Sequence, residues 1–381
     1  MFEKALVGSR RYWLWVSALL VLIAIGAIFY LRQLTYGLGV TGLSRDVTWG
    51  LYISQFTFFV GVAASAVMVV LPYYLHDYKQ FGKITILGEL LAVAAVTMCM
   101  LFIFVDMGQP ARVMNVLLHP TPHSMMFWDM ISLNGYLLLN GVIAFATLSS
   151  EKKGIATPHW VKPFIYLSIP WAVSIHTVTA FLYSGLASRP FWMTAVLAPR
   201  FLASAFASGP ALLILLILVL RRTTGYDPGE TALGKLKTIM TYAATISVFF
   251  VLMELFTAFY SGIPEHREHF EFLYVGLDGQ NGLVPWMWIS TILMVAALAM
   301  LYSQRAGKKI LAASCVCIFI SLWIEKGMGL IIGGLIPSAL GIVTKYQPTM
   351  PEWGIVIGIW SIGTLMVTVF YKITVGVRSI S

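Results

Sequence analysis

The chain has 381 residues, of which 59% are hydrophobic and 11% charged, with a formal net charge of +9 and a mean hydropathy of +0.84. Soluble domains carry roughly 25% charged residues, so this composition excludes a soluble globular protein. The three cysteines, Cys99, Cys315 and Cys317, all lie in apolar stretches and form no CxxC or ferredoxin-type run. The chain alone is therefore not expected to ligate an iron–sulfur cluster.

Apolar windows long enough to cross a bilayer predict an all-α integral membrane protein. Ten transmembrane helices are expected near 12–31, 48–74, 84–107, 127–148, 164–187, 196–220, 238–262, 283–303, 308–336 and 353–376. No small-residue cleavage pattern follows the first run, which reads as a retained helix and not a signal peptide. Ten spans place both termini on one side. Of the 25 Lys and Arg, 17 fall in the terminal and even-numbered loops, Arg305 among them, against 7 in the opposite loops, Arg200 among them, with Lys326 inside a span. That asymmetry predicts cytoplasmic termini. Because the cations are scattered over short segments, no nucleic-acid partner is expected.

Small-residue runs at Gly61–Ala66 and Ala203–Gly209 predict close helix packing. Their shared pattern suggests two four-helix bundles, helices two to five and six to nine, with two peripheral helices. The expected organisation is an N-terminal segment and first helix over 1–47, a first bundle with the site over 48–187, a second bundle over 188–336, and the last helix over 337–381. The longest loops, 108–126 and 263–282, both fall on the outer side. The second carries Glu265, His266, Arg267, Glu268, His269 and Glu271, either a solvated hairpin or a docking surface.

Ionisable side chains at membrane depth are costly and hence functional candidates. At 1.5 Å per residue, Asp106 and Asp129 lie roughly 5 Å from the outer surface, Gln55 and Asn134 about 10 Å in, and His176 about 16 Å in. These residues belong to helices two to five, so one bundle is expected to gather them in its outer half. A quinone site needs hydrogen-bonding groups at two carbonyls, apolar walls and proton donors or acceptors, and a histidine beside a carboxylate suits proton exchange. Trp49, Tyr52, Phe56, Trp128 and Trp171 supply aromatic surface nearby. The plainer readings are a packed histidine bonded to a hydroxyl, and aspartates that cap helix ends. A b-type haem is disfavoured, because the other histidines fall in loops. A quinone-reactive chain without its own redox centre requires a separate electron-carrying partner.

Glu89 lies near the cytoplasmic start of helix three, Glu254 in the outer half of helix seven, and Glu325 with Lys326 near the middle of helix nine. Neighbours on a helix point about 100° apart, so Glu325 and Lys326 are expected to have different partners. They form either structural ion pairs or a proton path, with Glu89 leading toward His176 and Asp129, and Glu254 and Glu325 in a second trail.

The segments Asp106-Met-Gly-Gln-Pro-Ala-Arg112, Asn115-Val-Leu-Leu-His-Pro120 and Ser174-Ile-His-Thr-Val-Thr-Ala180 resemble the NrfD/polysulfide-reductase membrane-subunit family over nearly the whole chain. Within it, Arg189-Pro-Phe-Trp192, Ala198-Pro-Arg200 and Glu254-Leu-Phe-Thr-Ala-Phe-Tyr-Ser261 look most like the DsrP-type subunit of DsrMKJOP complexes. The resemblance implies a menaquinone-interacting subunit without its own haem or cluster, docked on the outer side to a four-cluster ferredoxin-like (DsrO-like) iron–sulfur protein. It further implies a haem-b membrane subunit, a cytoplasmic iron–sulfur catalytic subunit and a multihaem cytochrome c, in sulfite or sulfate respiration. Carried over, Asp106 and Arg112 line the pocket mouth, while His176 and Asp129 are quinone and proton ligands.

The resulting expectation is a quinone-linked redox subunit with coupled proton transfer. His176 and Asp129 handle protons at the ring, Gln55 and Asn134 hold a carbonyl, and aromatic rings clamp the quinone. The alternatives are a secondary transporter with buried carboxylates, which would want matching breaks in both halves, whereas Pro170 and Pro210 are expected to interrupt helices five and six at positions that do not match, and a structural anchor for redox partners.

Overall fold

The computed structural model describes residues 3–76, 78–303 and 307–378; Arg305 lies outside them. Among the described residues, ten helices are long and apolar enough to span a membrane: α1 Arg10–Tyr36, α2 Leu51–Leu75, α3 Lys79–Asp106, α4 Met125–Lys153, α5 Val161–Ser184, α6 Leu197–Thr224, α7 Glu230–Ser261, α8 Val284–Tyr302, α9 Lys308–Leu335 and α10 Met350–Arg378. The chain is an integral membrane protein built of helices. With no water in the bilayer core, only internally bonded backbone can cross it.

Several helices outrun their apolar windows. The seventh begins at Glu230, so Lys235 and Lys237, read as loop cations, sit in its first turns. The fourth ends with Glu151, Lys152 and Lys153 before a left-handed Gly154 (φ 66°). Hydropathy registers the apolar core, whereas helical hydrogen bonding runs on into the interface. Pro170 and Pro210 do not interrupt their helices, which continue through both. Membrane helices tolerate proline where neighbouring helices and side chains satisfy the freed backbone groups.

Consecutive helices pack against one another from α2–α3 through α8–α9, and α6 also meets α2 and α9. The two small-residue runs face each other. A Cβ built on Gly61 would lie 3.7 Å from Ala205 Cα and 3.6 Å from Ser208 Oγ. The first helix lies along α10, where a Cβ on Gly26 would come within 2.7 Å of Gly358 Cα and 3.1 Å of Gly354 O. Gly354 and Gly358 form a small-xxx-small face that brings two backbones together. Lys4 Nζ donates to Gly376 O, joining the two chain ends.

Segments at the opposite face from the chain ends are also structured. The charged cluster after α7 is a helix, Pro264–Tyr274, and not an open hairpin. Phe270 and His269 turn inward, with His269 Nδ1 2.6 Å from Gly333 O, while Glu265 stays exposed. The buried Glu352 carboxylate accepts from Gly42 N (2.7 Å), Thr349 N (2.9 Å) and Tyr346 OH (2.7 Å). It ties the 37–50 and 336–349 connections to the start of α10.

Candidate functional site

In the halves of α4 and α5 away from the chain ends, Asp129 and His176 are both buried. Asp129 Oδ1 lies 2.7 Å from Thr179 Oγ1, which is also 2.7 Å from Ile175 O. A threonine hydroxyl has one hydrogen. If Thr179 donates to the backbone carbonyl, the second bond requires a proton supplied by Asp129. His176 and Thr179 are three positions apart, so they share a face of α5. His176 Nδ1 is 3.4 Å from Ala172 O, and its Nε2 is buried with no hydrogen-bond partner among the described residues. A ring whose Nδ1–H points at its own helix leaves Nε2 as the acceptor.

The same end of the molecule holds a packed aromatic group. Tyr183 lies 5.7 Å from Trp49 and 5.3 Å from Trp192, and Trp49 is 5.9 Å from Trp192. Tyr183 OH and Thr57 Oγ1 are 2.6 Å apart. Tyr52 OH donates to Gln33 Oε1 (2.6 Å), and Gln33 Nε2 donates to Val105 O (2.6 Å). That chain of bonds reaches the end of α3, where Asp106 Oδ1 is buried without a partner among the described residues. Trp171 Nε1 donates to Ser132 O (2.8 Å), and its ring fills the space where a side chain at Gly135 would stand.

Three expected ligands make their hydrogen bonds outside this group, although Gln55 Nε2 is buried with no partner among the described residues. Gln55 Oε1 accepts from Trp323 Nε1 (2.8 Å) and Trp360 Nε1 (3.0 Å), on α9 and α10. Two residues along α2 amount to about 200°, so Thr57 faces Tyr183 while Gln55 faces away. Depth along a span says nothing about which side of the helix a residue occupies. Asn134 Nδ2 donates to Met130 O of its own helix (2.9 Å). Trp128 is exposed and donates to Pro122 O (2.8 Å). Arg112 is exposed in the turn Pro110–Arg112, and Glu89 is buried in α3.

A second polar cluster centres on a residue that charge counting misassigned to a loop. Arg200 is buried in the first turn of α6 and donates through Nη1 to Glu254 and through Nη2 to Glu325. Glu325 and Lys326 occupy a π-helical turn, Trp323–Gly329, within α9, a widened geometry often found at functional positions. Lys326 Nζ is 3.3 Å from Phe201 O and 4.4 Å from the centre of its ring. The neighbours Glu325 and Lys326 thus bind the neighbours Arg200 and Phe201. Lys326 Nζ also sits 3.1 Å from where a Gly61 Cβ would stand, so the small-residue stripe accommodates the lysine. A void of about 10 Å³ borders Arg200, Glu325, Tyr274 and Gly329, about the volume one water needs. The legible signal for Arg200 was the pair of span glutamates lacking a cation. Thr179 was legible from its spacing to His176, and Gln33, Trp323 and Trp360 carried none.

Comparison with known proteins agrees with the helical layout. Residues 39–336 match the family described as polysulphide reductase, NrfD. A protein of Halobacterium salinarum, named as the C membrane subunit of a dimethyl sulfoxide reductase, is 28% identical over 94% of this chain and 89% of its own length. The C subunit of the selenate reductase of Mesobacillus selenatarsenatis is 25% identical over 94% of this chain and 95% of its own. The Hdr-like menaquinol oxidoreductase integral membrane subunit of Archaeoglobus fulgidus is 22% identical over 99% and 95%. With its match covering most of the chain, this protein belongs to the NrfD polysulphide reductase family.

Proposed function

We propose that the chain is the quinone-interacting membrane subunit of a respiratory oxidoreductase complex, exchanging electrons between an extracytoplasmic iron–sulfur subunit and menaquinone. The names of its relatives, a menaquinol oxidoreductase membrane protein and the C subunits of two reductases, support this reading over the secondary transporter. The observation that carries it is the unpartnered, buried Nε2 of His176 beside the Asp129–Thr179 pair. Two acceptors that are buried and unsatisfied, His176 Nε2 and Asp106 Oδ1, suit the hydroxyls of a bound quinol, since leaving such groups unpaired is costly.

Menaquinol oxidation supplies two electrons and two protons. In this reading His176 Nε2 accepts a proton from the ring, and Thr179 holds Asp129 to exchange protons nearby. Tyr52, through Gln33, fixes the end of α3 and with it Asp106. Trp49, Tyr183 and Trp192 form an apolar wall that excludes water. Arg112, exposed in its turn, is suited to meet the iron–sulfur partner. Arg200, Glu254, Glu325 and Lys326 form a buried polar group in α6, α7 and α9 through which protons can move once a water occupies the adjoining void. Glu89 serves as an entry on the face of the chain ends. The remaining expectations belong to the same proposal: cytoplasmic termini from the charge asymmetry, a prokaryotic inner membrane, and, from the resemblance, a DsrP-like role in sulfur respiration with haem-b, catalytic iron–sulfur and cytochrome c partners.

The test is His176→Ala in the assembled complex. Quinol-linked reduction of the partner's clusters should be abolished while the complex keeps all its protein components. Turnover at the wild-type rate in that variant would remove His176 from the mechanism and, with it, this placement of the quinone.

A further inference from the structure

On the face where the chain ends meet, a cleft of about 1,560 Å³ opens between the N-terminal segment and helices α3, α6 and α10. It exceeds the roughly 300–1,000 Å³ typical of small-molecule pockets. Its inner end is hydrocarbon and aromatic, formed by Phe59, Met98 and Trp360, whereas its rim carries four cations, Lys4, Arg11, Arg222 and Lys372, against one carboxylate, Glu3. Arg11 and Arg222 are exposed, and neither forms an ion pair among the described residues. Lys372 Nζ is buried with no hydrogen-bond partner among them and lies over the Tyr12 ring.

We propose that this cleft binds an anionic phospholipid, with its acyl chains in the apolar interior and its phosphate at the basic rim. Two features favour hydrocarbon over a quinone ring inside. The hydroxyls that line the interior are already committed to backbone: Thr364 donates to Trp360 O (2.8 Å), Thr368 to Thr364 O (2.7 Å) and Tyr371 to Leu87 O (2.9 Å). The Trp360 indole N–H is held by Gln55. None of these interior groups has a proton left for a ring carbonyl, the uncommitted N–H groups being the cations of the rim, while an alkyl chain asks for none. At the rim, an anion satisfies cations that the protein leaves without carboxylates, and the lysine stem of Lys372 gives the headgroup a fixed point at the cleft's edge. Bound there, the lipid joins α1 and α10 to α6 and fills space that no side chain of the described residues fills.

The experiment quantifies phospholipid classes that remain with the complex after gentle detergent purification, for the wild type and for a variant carrying both Arg11→Glu and Arg222→Glu. Both positions are exposed, so folding should survive, with assembly of the complex and helix content as controls. A second measurement needs no variant: thermal stability of delipidated wild type after adding phosphatidylglycerol, phosphatidylcholine or inorganic phosphate. The expected result is retained anionic phospholipid in the wild type, falling about 25-fold in the variant at about 1 kcal/mol or fivefold for each of the two cations removed, and stabilisation by phosphatidylglycerol only. Equal retention in both proteins, equal stabilisation by phosphatidylcholine or by phosphate alone, or recovery of quinone in place of phospholipid would each overturn the proposal.

Discussion

Arg200 and Glu325, 125 positions apart in sequence, are bonded at the junction of α6 and α9, and the same guanidinium holds Glu254 of α7. One cation thereby compensates two carboxylates whose side chains are largely out of contact with solvent. Arg200→Gln should leave two buried acids uncompensated and cost about 3–5 kcal/mol. Combining it with Glu254→Gln and Glu325→Gln should recover much of that loss, because the two carboxylates that Arg200 compensates are then gone. Thermal unfolding in detergent checks both, and a triple variant as unstable as the single one would show that charge compensation is not the cause.

Gln55 separates structure from chemistry in α2. Gln55→Leu removes the acceptor shared by Trp323 and Trp360, leaving two half-buried indole N–H groups without this partner at about 1 kcal/mol each. A lower melting temperature and altered tryptophan fluorescence are expected, with quinol turnover per intact complex unchanged. Selective loss of turnover without loss of stability would return Gln55 to the quinone site.

Thr179 tests the hydrogen count at Asp129. In the wild type, infrared difference spectra taken during turnover should contain a protonated-carboxyl stretching band that disappears in Asp129→Asn. Thr179→Val should shift that band and slow turnover, since the carboxyl loses its oxygen partner at 2.7 Å. A wild-type spectrum without an Asp129-dependent band would contradict the proton-sharing arrangement.

The first helix depends on glycine. Gly26→Leu forces a side chain into the backbone of Gly358, 2.7 Å from the position of the first added carbon. Overpacking of this kind costs about 1–3 kcal/mol. Cysteine pairs placed across α1 and α10 should cross-link less efficiently in the variant; unchanged cross-linking would mean that the helices do not meet here.

His269 gives the extramembrane helix a pH dependence. Burial holds its imidazole below the ordinary value of about 6.5, outweighing its bonds to Gly333 O and Ile336 O. Below pH 6.5 the unfolded segment takes up a proton that the folded one resists, so stability falls as pH drops from 7 to 5. Limited proteolysis of the 263–282 segment should accelerate over that interval, and less steeply in His269→Gln. A flat profile in the wild type would rule out this coupling.

Ten spans, their order and the membrane setting were legible from the sequence, because transfer of apolar side chains into lipid depends on composition along a window and little on tertiary partners. Close packing at the small residues around Gly61 and Ala205 was likewise legible, but not that these two runs meet each other. Asp129 and His176 could be found from their cost at depth. What the sequence could not supply was azimuth and pairing. Gln55 and Thr57 have nearly the same depth yet face opposite neighbours. Arg200 reads as a loop cation until two glutamates from distant helices close on it. Each of these outcomes depends on which helix lies beside which, a relationship set by packing among segments far apart in the chain. Hydropathy, a local average, carries no record of it, and only the tertiary structure decides it.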